Sequence, residues 1–169
     1  MADNKPIALD IDGYEYVTDA LMEMANSYPG LNKMLGEHFD FTNADPEDGL
    51  TIMATSGSVI YDERESITGH VRQECTYPFM VVYKASGLNQ KRKIQVKEWM
   101  DTFARWMTRQ PVTINNKTFV LHAWPELTHG RVIRTIMRQS PCYLAQINED
   151  KSEIWAMDLA IRYRNEFNR

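Results

Sequence analysis

The sequence predicts an α+β fold, a mainly antiparallel sheet packed against one long helix with a second helix near the N-terminus. Three stretches carry that expectation. Between His70 and Lys84, Val71, Gln73, Cys75, Tyr77, Phe79, Val81 and Tyr83 alternate onto one face, as successive side chains of a strand must. Beyond Ser86-Gly87, Val96, Trp99, Met100, Phe103, Trp106 and Met107 recur at intervals of three and four and form the apolar stripe of an amphipathic helix. Near the C-terminus, Trp155, Met157, Leu159, Ile161 and Tyr163 alternate against Asp158, Arg162 and Arg164. Two half-apolar strands and a striped helix must cover one another, which predicts a core of Phe79, Trp99, Phe103, Trp106, Trp155, Leu159 and Ile161.

The elements follow in order. Residues 1–12 read as a polar arm ending in Ile7-Ala8-Leu9, and 13–49 as a helix and loop, with 50–169 as the sheet-and-helix core of a single domain. Tyr14, Val17, Leu21, Met24 and Ala25 have helical spacing, and Pro29-Gly30 ends that helix with a missing donor and a permissive backbone. Leu31 to Gly49, with Gly36, Asn43 and Pro46, reads as a long loop with one helical turn. Leu50 to Ala54 and Ser58 to Tyr61 flank Thr55-Ser56-Gly57 and predict a tight hairpin. In the long strand Ile67 to Lys84, Pro78 cannot donate to a ladder, so it marks an edge, a bulge or a change of partner. Asn89 or Ser86 caps the long helix, which Pro111 stops after about 30 Å. Val132 to Gln139 and Cys142 to Ile147 follow as strands, the latter joined to the last strand by the polar hairpin Asn148-Glu149-Asp150-Lys151.

Composition bounds the function. A chain of 169 residues with 43% hydrophobic and 25% charged residues has the makings of an ordinary globular core. A net charge of -4 and a pI near 5.6 argue against a clustered positive field that grips DNA irrespective of sequence. No apolar run is long enough to span a membrane, and the N-terminus lacks the organisation of a secretory signal. Cys75 and Cys142 lie inside apparent strands and read as buried free thiols of a protein made in a reducing cytoplasm.

Catalytic and metal signals are weak. Ile7-Ala8-Leu9-Asp10-Ile11-Asp12-Gly13 is similar to the opening motif of haloacid-dehalogenase-type phosphatases, in which Asp10 would be the nucleophile and Asp12 the acid/base. Tyr14 stands where a hydroxyl residue is expected, no later acidic pair follows, and that fold needs parallel βαβ units. The same segment fails the calcium-loop pattern because Leu21 occupies the position of the bidentate acid. His38, His70, His122 and His129 are scattered, so neither a metal nor another cofactor is expected.

Basic residues are the remaining candidates. Lys91, Arg92 and Lys93 open the long helix, where its dipole disfavours positive charge, and form either a solvated turn or a surface for an acidic partner. Arg134 and Arg138 alternate with Val132 and Ile136 along one strand face, and Arg131 starts that strand from the other. They are surface charge or inter-subunit ion pairs.

Arg72 and Gln73 followed by Tyr77-Pro78-Phe79, the helix with Trp99, and the hairpin Asn148 to Lys151 leading into Ile154 to Tyr163 together resemble the tail terminator and tail-completion proteins of bacteriophage necks. The similarity runs from Leu50 to the C-terminal end. Glu74, Cys75 and Thr76 depart from it by separating two pairs that lie closer together in the family. The resemblance implies a non-enzymatic virion protein assembled in the host cytoplasm. It would form a ring, typically a homohexamer, on the head-proximal end of the tail tube, contacting the tail tube protein and the head-tail connector or stopper protein. DNA would pass through the lumen without sequence-specific binding. A head-completion or stopper protein of the same neck is the other expectation of this kind. The family transfers no catalytic residue.

Overall fold

The computed structural model describes residues 14–42, 46 and 48–169. It is an α+β fold with a large, mostly antiparallel sheet and two helices. The arm of residues 1–12, and with it Asp10 and Asp12, lies outside the described residues.

Two strands of sixteen residues, β4 (His70–Ala85) and β9 (Glu153–Asn168), form the centre. They pair antiparallel over their whole length, from His70 opposite Asn168 to Ala85 opposite Glu153. The register runs unbroken through Glu74, Cys75 and Thr76. Each central strand has a two-piece neighbour. β2 (Gly49–Ala54) and β3 (Val59–Glu65) lie in succession along β4, while β7 (Val132–Arg138) and β8 (Tyr143–Ile147) lie in succession along β9.

The predicted hairpin between Leu50–Ala54 and Ser58–Tyr61 is therefore corrected. β2 and β3 do not pair with each other; both run antiparallel to β4. Pro78 supplies the reason. Its carbonyl accepts from the Thr55 amide at 3.4 Å, so its donor-less nitrogen faces the same flank, where the ladder is interrupted and β4 exchanges β2 for β3. Of the three readings of Pro78, the change of partner is the one adopted.

Two elements escaped the periodicity. β1 (Phe39–Thr42) pairs parallel to β2 inside the segment read as a loop, and β5 (Val112–Ile114) with β6 (Lys117–Phe119) forms a small separate hairpin. Asn115 and Asn116 turn that hairpin with φ of 50° and 62°, the conformation a two-residue turn of this kind demands.

The helices cover one face. α1 (Tyr14–Asn26) buries Val17, Leu21, Met24 and Ala25. α2 (Gln90–Met107) is capped by the Asn89 side chain, which accepts from the Arg92 amide at 2.9 Å, and buries Met100, Phe103, Ala104, Trp106 and Met107. It ends before Pro111, because Arg109 turns into the left-handed region at φ 63° and its guanidinium donates to the carbonyls of Leu121 and His122. The sheet contributes Cys75, Tyr77, Phe79 and Val81 from β4 and Met157, Leu159, Ile161 and Tyr163 from β9, while Trp99 and Trp155 pack partly buried at the margin. Of the expected core residues, Phe79, Phe103, Trp106, Leu159 and Ile161 are buried in it, and Trp99 and Trp155 pack against it from the margin.

Where α1 gives way to the next segment, Tyr28 lies against Trp99, Phe103 and Trp106 with ring centroids 5.1 to 5.4 Å away. Gly30 serves that packing rather than supplying a left-handed turn, since a Cβ there would sit 2.4 Å from the Tyr28 ring. The ring cannot swing aside into three other aromatics. Gly30→Ala is therefore expected to cost about 1 to 3 kcal/mol, as overpacking does. An unchanged melting temperature would show that the ring has room to move.

Candidate functional site

The helices cover one face of the sheet; on the other, among the described residues, Lys84 donates to the carbonyl of the buried Pro46 at 3.2 Å and neither helix is packed. That other face is zoned. Toward the β3–β4 turn it carries a charged lattice in which Glu74 accepts from Arg164 at 2.8 Å and from Arg72 at 3.0 Å, while Arg164 also approaches Glu166. Arg162 lies over the Tyr61 ring at 5.4 Å. Further along, Val82, Ala156 and Ala160 form a buried small-residue floor beside the half-buried Met80 and Met137.

Partial burial alone would raise the Glu74 pKa, but the hydrogen bonds and charges of Arg164 and Arg72 outweigh it and hold the carboxyl below the ordinary glutamate value of 4.5. A depressed carboxylate pKa stabilises the fold at pH above the unfolded value and loses that contribution as pH falls through the folded one. Glu74→Gln is therefore expected to lower stability at neutral pH and to flatten the decline on acidification below 4.5. Unfolding curves across that range check it, and an acid slope identical to the parent would remove Glu74 from the acid response.

The predicted basic residues separate. Lys93 pairs with Glu153 of β9 at 2.6 Å, an answer to its unfavourable place at the helix start, and that bond holds the Glu153 pKa down. Lys91 and Arg92 are exposed. Arg92 borders a cleft of about 470 Å³ with Tyr83, Val96 and Trp99. Arg131 is buried at 6% exposure. Arg138 is used inside the subunit, pairing with Asp101 of α2 and donating to the Ser140 carbonyl at 2.8 Å.

The expected common face for Val132, Arg134, Ile136 and Arg138 is corrected. A bulge between Ile133 and Thr135 shifts the alternation, so Ile136 and Arg138 fall opposite Ile161 and Leu159 on the helix side, while Val132 falls opposite Arg164 on the other side. Arg134 occupies the bulge, exposed on the sheet edge, with no ion pair among the described residues.

The edges themselves are what periodicity did not single out. On β3, Val59, Ile60 and Tyr61 are each 51 to 53% exposed, followed by Asp62, Glu63 and Glu65 with Arg64. Across the sheet, all five residues of β8 (Tyr-Leu-Ala-Gln-Ile) are exposed and none is charged. The signal was present in Val59-Ile60-Tyr61, three adjacent large apolar residues that no single strand face can bury.

Cys75 and Cys142 are free and buried, and burial pushes both thiols up, Cys142 to about 11, away from the reactive thiolate. The Cys142 thiol lies 3.4 Å from the Met100 sulfur. Among the described residues no group of three or more histidine, cysteine or acidic side chains could hold a metal ion, and no helix is long and apolar enough to cross a membrane. Among the described residues the one parallel pair of the large sheet, β1 with β2, is not a βαβ unit. No protein-family model matches the chain, and no curated protein is similar to it in sequence.

Proposed function

We propose that this protein is a structural component of a bacteriophage neck, a tail terminator that forms a ring on the head-proximal end of the tail tube. In that role it stops tube growth and offers the docking surface for the head-tail connector or stopper protein. The observation that carries the reading is that both lateral edges of the large sheet bear exposed apolar side chains, Val59, Ile60 and Tyr61 on one and Tyr143, Leu144 and Ile147 on the other. Exposed strand edges invite pairing with another chain, and a ring of identical subunits can cover every such edge at once. The segments that carry the resemblance support the reading by their placement. Arg72 to Phe79 and Ile154 to Tyr163 lie on the two paired central strands, and the helix bearing Trp99 contributes to the core that covers them. The acidic average charge suits a lumen that DNA traverses without being held.

The test is genetic and structural. Particles assembled without the protein are expected to carry tails of irregular, extended length, and the purified protein is expected to cap isolated tail tubes in negative-stain images. Tails of normal length in its absence would overturn the terminator role. Binding to heads alone would assign the protein to the stopper position instead.

A further inference from the structure

We infer that the joint between neighbouring copies is a head-to-tail sheet extension, in which the β3 edge of one copy docks antiparallel on the β7–β8 edge of the next. The inference rests on the ring reading above and names the surfaces that would build it.

Strand direction permits the joint. β3 is antiparallel to β4, β4 to β9, and β9 to both β7 and β8, so the first and last lanes of the sheet run in opposite directions. A second copy brought alongside by rotation, without inversion, therefore meets β3 with a strand of opposite sense, and the sheet continues antiparallel.

Chemistry selects this joint over a two-fold one. On the β3 side the uncharged residues Val59, Ile60 and Tyr61 lie nearer the β8–β9 turn, and the acids Asp62, Glu63 and Glu65 lie nearer the β3–β4 turn. The opposite edge has the same order. Uncharged β8, with Tyr143, Leu144 and Ile147, lies nearer the β8–β9 turn, and β7, with the exposed Arg134 and no acid, lies nearer the other end. Apolar meets apolar and the acidic end of β3 meets the strand carrying Arg134 when unlike edges join. A two-fold pair is antiparallel and instead sets the acidic end of one β3 against Val59, Ile60 and Tyr61 of the other, or Arg134 of one copy against the uncharged residues of its mate. β1 widens the sheet only beside β2, so the neighbour seats against β3 displaced toward the β3–β4 turn. Neither β3 nor β8 carries lysine or proline; the bulges between Ile60 and Asp62 and between Leu144 and Gln146 leave their apolar residues exposed.

The experiment blocks one edge at a time with lysine at exposed positions, Ile60→Lys on β3 and Leu144→Lys on β8. Circular dichroism and thermal melting establish that each variant folds as the parent does. Light scattering across a dilution series is expected to show the parent as a higher oligomer and each variant alone as a monomer. An equimolar mixture is expected to stop at a heterodimer, because only the intact β8 edge of the first and the intact β3 edge of the second can join. A monomeric parent at every concentration, full assembly by either variant alone, or a homodimer of one variant would each overturn the head-to-tail joint. A confirmed heterodimer from a protein whose loss leaves tail length normal would keep the joint and discard only the terminator role.

Discussion

Replacing Phe103 by alanine is expected to destabilise the protein by about 3 to 5 kcal/mol, the range for truncating a buried aromatic side chain. Phe103 is fully buried at the point where three parts of the chain converge on α2. Its ring lies 5.1 Å from Tyr28, which follows α1, 4.9 Å from Phe39 on β1, and 5.7 Å from Trp99, nearly parallel to it at 9°. Removing the ring takes partners from all three at once and leaves a cavity that rigid aromatics fill poorly. Thermal unfolding is expected to drop by roughly 10 °C for a chain of this size. Trp99→Ala is the internal comparison. Trp99 is partly exposed and its indole nitrogen donates to the Gly30 carbonyl at 3.3 Å, so its loss should cost less than that of Phe103. The reverse order would move the centre of the helix–sheet contact.

Leu159→Ala is expected to cost about 3 kcal/mol, within the range for buried leucines and scaled by the cavity left behind. Leu159 is fully buried on β9, with Phe79 of β4 beside it on one flank and Arg138 of β7 on the other. Both flanks are pinned by backbone ladders, which restricts collapse into the gap, while the adaptable Met100, Met107 and Met157 in the same core keep the loss below the upper limit. Urea unfolding should show a lower midpoint at unchanged slope. A loss below about 1 kcal/mol would mean that the methionines refill the site.

What the sequence disclosed follows from the range over which each signal acts. β4, α2 and β9 were legible because they are long enough for alternation or a helical stripe to repeat several times, and their core faces are those observed. The Asn148 to Lys151 turn was legible from local polarity. Pairing of β2 and β3 was misread because adjacency in sequence favours a hairpin, whereas the deciding atom was the missing donor of Pro78, on a strand the chain had yet to reach. β1 was hidden by its length of four residues, too short for a period. The face shared by the β7 residues was misjudged because one bulge at Arg134 reverses every later position. As for the candidate site, sequence drew attention to arginines, but folding commits Arg138 to Asp101 and buries Arg131, leaving Arg134 exposed beside the apolar edges.

The end-to-end ladder between β4 and β9 also governs how quickly the native state is reached. His70 finds Asn168 across 98 residues of chain, and Glu74 finds Arg164 across 90. By contrast β3 with β4, and β8 with β9, are joined by short turns and can zip as soon as those turns close. The search for the central register is therefore the slow event, placing the chain among the topologies that take milliseconds to seconds rather than microseconds. Until that event one long flank of each hairpin stays unsatisfied, so the interval of greatest vulnerability to aggregation precedes the docking of the two halves. The yield of folded chains therefore depends on winning that race.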